Sequence, residues 1–192
     1  MPRPNTREQI IAAGMKCLVE KSFNAVGVQD ITDAAGVPKG SFYNHFESKE
    51  ALGLEAIERY WQGALNGLEG LKDERMAPLA RLKVYFRGLI DLGRRLKYRP
   101  GCMIGNMSIE MSDQSAAFRE RLASIFARWS GAIEVCVKEA QADGSLRRDI
   151  DAKSIAAFML NSWEGAVLRS KVDRSDAAFM AFEKIVFGSL AT

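Results

Sequence analysis

The chain of 192 residues has one histidine, His45, and three cysteines, Cys17, Cys102 and Cys136. A single histidine excludes most His-based catalytic triads. With no paired Cys/His spacing it also argues against a structural zinc site. An odd, sparse, widely spaced set of cysteines does not make a disulfide framework. No apolar run reaches the ~18 residues of a membrane span. The stretch Met1-Pro2-Arg3-Pro4-Asn5-Thr6 lacks the apolar core of a signal peptide, so a cytoplasmic protein without a membrane partner is expected. There is no glycine-rich phosphate loop. Segments of two-residue alternation, internal repeats and low-complexity linkers are also missing. Together these absences imply an all-α protein that is not an enzyme and carries no metal or cofactor.

Nor is there a basic field where one is needed for nucleic acid. The net charge is +3, yet residues 1–50 hold six Lys/Arg and six Asp/Glu, and the excess sits in residues 72–101, with nine basic and three acidic groups. Any DNA contact near the N-terminus must therefore come from individually placed groups.

What is present is helical periodicity. The spacing predicts a first helix from Asn5 or Thr6, where Thr6-x-x-Gln9 has capping-box spacing, with Ile10, Gly14, Cys17 and Leu18 inward. A fourth helix, capped by Ser48, runs to about Glu69 and spans ~30 Å. Pro78 opens a fifth whose cations, Arg81, Lys83, Arg87, Arg94, Arg95, Lys97 and Arg99, read as a solvated face, with an anionic ligand or an extra DNA contact as the sharper alternatives. Asp113 to Ser115 cap a long seventh helix, Asp151 an eighth, and a ninth follows Ser175. The architecture is a small helical head, residues 1–48, and a larger helical body, residues 49–192, with about nine helices in all. The last two helices carry more large apolar residues than a small body covers, which predicts a homodimer through helices eight and nine.

Between Gly27 and Lys49 the pattern is two short helices and a tight turn. Val28, Ile31 and Ala35 form one buried stripe, Gly36 ends the first helix, and Pro38 suits the first turn of the next. Phe42 and Phe46 turn inward, which leaves Lys39, Gly40, Ser41, Tyr43, Asn44 and His45 outward, a hydrogen-bonding face suited to a major groove.

These residues resemble a known family. Val28-x-Asp30-Ile31-x-x-Ala34-Ala35-Gly36-Val37, then Gly40-x-x-Tyr43-x-His45-Phe46-x-x-Lys49-Glu50-x-Leu52, is similar to the N-terminal signature of the tetracycline-repressor (TetR) family of transcriptional regulators. The resemblance implies a helix-turn-helix repressor that binds double-stranded, near-palindromic operator DNA and is released by a small-molecule effector. It places Lys39, Gly40, Ser41 and Asn44 near base edges and Tyr43, His45 and Lys49 on phosphates. Gln29 and, on a short N-terminal arm, Arg3 complete the expected DNA set. Gly27 stands where the family usually has Ser or Thr, so a hydroxyl contact is lost.

In the body, Gly101-Cys102-Met103-Ile104-Gly105-Asn106 and Trp163-Glu164-Gly165-Ala166 with Lys171 resemble a subgroup of that family. The subgroup includes repressors of N-ethylmaleimide-reductase type genes, which answer electrophiles and oxidants, and acrylate-responsive regulators. Two readings of Cys102 stand side by side. It is a sensor whose thiolate is favoured by a helix N-terminus and by Lys97, Arg99 and Lys171, or it is a buried packing residue. A non-covalent pocket lined by Trp61, Phe86, Met103, Met107, Trp129 and Trp163, with Asn106 nearby, competes with the covalent reading. Cys17 and Cys136 fall on inward stripes and read as core.

Overall fold

The computed structural model describes residues 5–190. Among them are nine α-helices: α1 Thr6–Lys21, α2 Val28–Ala35, α3 Gly40–Tyr43, α4 Lys49–Glu69, α5 Pro78–Arg95, α6 Met103–Met111, α7 Ala116–Ala142, α8 Ala152–Asp173 and α9 Ala177–Ser189, with a 3-10 turn at Gly70–Lys72. No helix is long and apolar enough to cross a membrane among the described residues. The caps are local and mostly as the sequence predicts. Ser48 Oγ accepts from the Ala51 amide at 3.0 Å, Ser115 Oγ from Phe118 at 3.2 Å and Asp151 from Ser154 at 2.9 Å. α1 differs: its cap is Asn5, whose side chain accepts from the Arg7 amide, and Thr6 is already the first helical residue.

The chain forms two compact units. The first comprises residues up to Gly63 together with Met103–Leu122, so α6 and the first turns of α7 belong with α1 to α3. Ile10, Ile11, Leu18, Ile31, Phe42, Leu52, Ile57 and Phe118 are its buried core. Phe23 meets Phe118 edge-on with centroids 5.2 Å apart. Gly53 lies under both rings, and a Cβ there would come within 2.7 Å of Phe23 and 2.8 Å of Phe118. An ionic chain joins α1 to α4. Arg7 donates to both oxygens of Glu55, while Arg59 donates to Glu55 and to Glu8. Hydrogen bonds from Arg7 hold the Glu55 carboxyl below its usual range against the opposing effect of burial.

The second unit comprises Ala64–Cys102 and the chain from Ala123 onward. Here α8 and α9 pack together over an aromatic cluster. Phe86 of α5 lies 5.7 Å from Trp163 and 4.9 Å from Phe182, and Trp163 stacks on Phe179 at 5.0 Å. Arg81 corrects the expectation of a solvated basic face on α5. It is only 5% exposed, donates to the Leu71 carbonyl at 2.8 Å and pairs with Glu139 of α7 at 2.6 Å. A guanidinium is the side chain suited to that position, because its rigid fork serves two acceptors at once.

Candidate nucleic-acid interface and effector site

The candidate DNA face is built by the turn between α2 and α3. Gly36 takes φ +67, and its amide and that of Val37 close on Asp33 and Thr32, a helix end that a left-handed glycine permits. The Thr32 hydroxyl, fully buried, donates back to the Val28 and Gln29 carbonyls and stiffens the last turn of α2. Gly27 brings no hydroxyl. The Asp30 carboxylate instead accepts from the Gly27 amide at 2.8 Å, so the helix start is capped from inside.

α3 has only four residues and is anchored by Phe42, fully buried, which packs against Phe46 at 5.6 Å. That anchor leaves Lys39, Gly40, Tyr43 and Asn44 exposed, with Ser41 and His45 half-buried beside them. Tyr43 is 57% exposed and touches Phe42 edge-on, so its hydroxyl faces away from the core. Gln29 is exposed on α2 and donates to Asp33 at 2.7 Å. Lys49 has structural work. Its ammonium donates to the Phe23 and Val26 carbonyls at 3.0 and 2.9 Å and lies over the Phe23 ring, which occupies two of its three N–H donors. Arg3 lies outside the described residues.

The expected effector residues divide between the two units. Trp61 and Met107, both buried, and half-buried Asn106 belong to the first. Cys102, Phe86, Trp129, Trp163 and Lys171 belong to the second, where Phe86 and Trp163 share the aromatic cluster. Cys102 is 8% exposed and immediately precedes α6. The Glu164 carboxyl of α8 is under the influence of the Cys102 thiol. Burial pushes that carboxyl up to about 7, against the lowering effect of the thiol. Nearby, the Trp129 indole donates to the Tyr85 hydroxyl at 2.8 Å, and burial pushes the Tyr85 phenol up.

Glu164 is the half-buried carboxyl that sequence reasoning passed over. It stood inside the quoted Trp163-Glu164-Gly165-Ala166 motif, and an acidic residue next to a buried tryptophan was the available signal. Cys17 and Cys136 are buried and their thiols are pushed up by burial, Cys136 to about 11, which is the setting of core residues. No group of metal-ligating side chains comes together among the described residues.

Comparison with known proteins agrees with this geometry. Residues 10–56 match the model of bacterial regulatory proteins of the tetR family, and residues 78–186 match the tetracyclin repressor-like C-terminal domain. The chain is 38% identical to the HTH-type transcriptional repressor DhaR of Mycobacterium sp. (strain GP1) over 99% of its own length and 94% of that protein's. It is 26% identical to the HTH-type transcriptional repressor NemR of Escherichia coli (strain K12), over 89% and 86%. The crystal structure of regulatory protein TetR from Rhodobacter sphaeroides superposes with a TM-score of 0.89 at 35% identity, covering 96% of this chain and 98% of that one. From the helix-turn-helix through the helical body, the chain belongs to the TetR family and is a DNA-binding, effector-responsive transcriptional repressor, not an enzyme.

Proposed function

We propose that this repressor acts as a homodimer on a near-palindromic operator and is released when a carbon electrophile or oxidant modifies Cys102. The observation that carries the reading is the setting of that thiol. It immediately precedes α6, whose N-terminus favours the thiolate, whereas burial is the leading influence on the Cys17 and Cys136 thiols. The distant likeness to NemR supports the same reading.

Lys39, Gly40, Ser41 and Asn44 would approach base edges, and Tyr43, His45, Lys49, Gln29 and Arg3 phosphates. Dimerisation through α8 and α9 is supported by an exposed apolar stripe. Phe158, Leu168 and Val172 on α8 and Ile185 on α9 stand 52–70% exposed, and Gly165 and Gly188 on the same helices have open space beside them. Two-fold symmetry then sets the two α3 helices one turn of DNA apart, ~34 Å. Modification in the effector unit shifts α4, which begins beside the helix-turn-helix, and lowers operator affinity.

The test is operator binding with and without a thiol-reactive compound, for wild type and Cys102→Ser. Wild type is expected to release DNA and the serine variant to stay bound. Equal release by both rules out Cys102 as the sensor and favours a non-covalent ligand among the aromatic residues Phe86, Trp129 and Trp163.

A further inference from the structure

We propose that Arg7 is a positioning residue for DNA recognition: its guanidinium ties Glu55 of α4 to the Phe46 ring beneath α3 and so fixes where α3 stands against the bases. The inference rests on the reading of α3 as the helix that faces the operator and adds what holds it there.

α3 does not hold itself. It is four residues long, and a single turn of helix fixes several dihedrals for one hydrogen bond. Its place comes from tertiary contacts. On its inner side these are Phe42, fully buried, and Phe46, whose amide donates to the Phe42 carbonyl at 2.9 Å and whose ring lies 5.6 Å from the Phe42 ring. Tyr43 in turn meets Phe42 edge-on at 5.3 Å. The Phe46 ring is therefore joined to the side chains that α3 presents. The Arg7 guanidinium lies over that ring, 4.9 Å from its centroid, within cation–π distance.

The same guanidinium donates from Nη1 and Nη2 to the two carboxylate oxygens of Glu55, the first at 2.9 Å. Glu55 is fixed in turn by Arg59, one turn further along α4, which donates to it at 3.0 Å and to both oxygens of Glu8 at 2.6 and 2.8 Å. All of these residues lie in the first compact unit. A planar fork that pairs with a carboxylate and also stacks on a ring is what arginine offers and lysine does not. Arg7 thus joins α4 to α3 in the order Glu55, Arg7, Phe46, Phe42, Tyr43. The Arg59 bonds to Glu8 join α4 to α1 by a route that bypasses the ring. The charge of Arg7 is matched by Glu55, so Arg7 acts on affinity through α3 and not through a phosphate.

The experiment is binding of the full-length protein to an operator duplex, selected from a random pool by wild type, and to a scrambled duplex, followed by fluorescence anisotropy over a range of salt. Arg7→Met is expected to weaken operator binding by about tenfold, the scale of coupling between residues in contact. Scrambled-duplex binding and the salt slope stay as in wild type. Arg7→Lys keeps the charge and is expected to lose as much. Arg59→Gln leaves both Arg7 contacts in place and stays near wild type. In a Tyr43→Ala background the Arg7→Met loss shrinks, because one of the positioned groups is gone. Circular dichroism checks that each variant is folded. Should Arg7→Met fail to fold, Glu55→Gln is expected to show the same loss of operator over scrambled binding. Rescue by Arg7→Lys, with a salt slope lowered by ~0.9 per head in Arg7→Met, makes Arg7 a phosphate ligand and overturns the inference. Equal losses in Arg7→Met and Arg59→Gln overturn it too, since the tie between α1 and α4 then matters and the ring contact does not. Full additivity with a Tyr43→Ala that itself weakens binding overturns it while leaving the reading of α3 intact. If Tyr43→Ala binds the operator as wild type does, that reading falls, and this inference with it.

Discussion

Replacing Arg81 with methionine separates what a buried arginine holds from what it costs. The guanidinium donates to the Leu71 carbonyl at 2.8 Å and pairs with Glu139 at 2.6 Å. Its bond to the carbonyl is charged and enclosed, and losing it destabilises by ~1.5–3 kcal/mol. The Glu139 side chain is 46% exposed, so that ion pair adds only ~0–1 kcal/mol. Against these losses, methionine removes the Arg81 Nε–H, which is enclosed without an acceptor among the described residues. That relief is on the order of 1 kcal/mol. Methionine also keeps the apolar stem packed. The balance is a loss on the order of 2 kcal/mol, which lowers the Tm of a chain this size by about 4–8 °C. Glu139→Gln leaves the carbonyl served and should cost less than ~1 kcal/mol. Urea unfolding of the two variants beside wild type gives both numbers. If Glu139→Gln costs as much as Arg81→Met, the ion pair and not the carbonyl is what the arginine serves, and the reasoning fails.

Burial raises the Glu164 carboxyl from 4.5 to about 7, so between those values the native state binds more protons than the unfolded chain. Stability should then fall as pH rises through that window and level off above it. The loss is at most on the order of 3 kcal/mol at ~1.4 kcal/mol per pH unit. Glu164→Gln should flatten the dependence, and unfolding midpoints that decline equally in both proteins would refute the shift. Gly36→Ala forces a left-handed φ of +67 on a residue with a Cβ. It should cost ~1–2 kcal/mol from strain alone, since no atom crowds the position. Lys39→Gln should reduce the slope of log affinity against log salt by ~0.9 per head if it neutralises a phosphate. An unchanged slope would place Lys39 elsewhere. Tyr43→Ala should weaken operator binding at low salt while leaving the melting temperature near that of wild type, because the ring is mostly exposed. Intact binding would remove Tyr43 from the DNA face.

The elements were legible because the signals are local. Caps at Ser48, Ser115 and Asp151, the glycine stop at Gly36 and the Pro78 start each act within one turn, and the helix order follows from them. The outward set around Tyr43 was legible for the same reason, since Phe42 and Phe46 four residues apart decide which side is buried. What was not legible depends on long separations. Nothing in the run of cations on α5 marks Arg81 as different from Lys83 or Arg87, because its burial comes from Leu71 and Glu139 closing on it. The pairing of Cys102 with Glu164 is equally non-local. Glu164 stands 62 positions from Cys102 in the sequence, and the fold brings its carboxyl under the influence of that thiol. Lys49 reads as a phosphate ligand by motif, yet two of its three donors hold the Phe23 and Val26 carbonyls in place.

The first compact unit has a consequence for how the protein is made. Residues of its core and rim come from two stretches of chain separated by the whole of α5. Besides the Phe23–Phe118 contact, the Asn24 amide donates to Glu110, the Ser115 hydroxyl to Glu50 and Arg121 to Glu58. During synthesis the helix-turn-helix emerges first but cannot complete its packing until Leu122 has left the ribosome. A fragment ending at Gly63 would expose the faces of Phe23 and Gly53 that Phe118 covers. Such a fragment should aggregate or stay molten, and a DNA-binding piece cut at the end of the motif should be a poor substitute for the full chain.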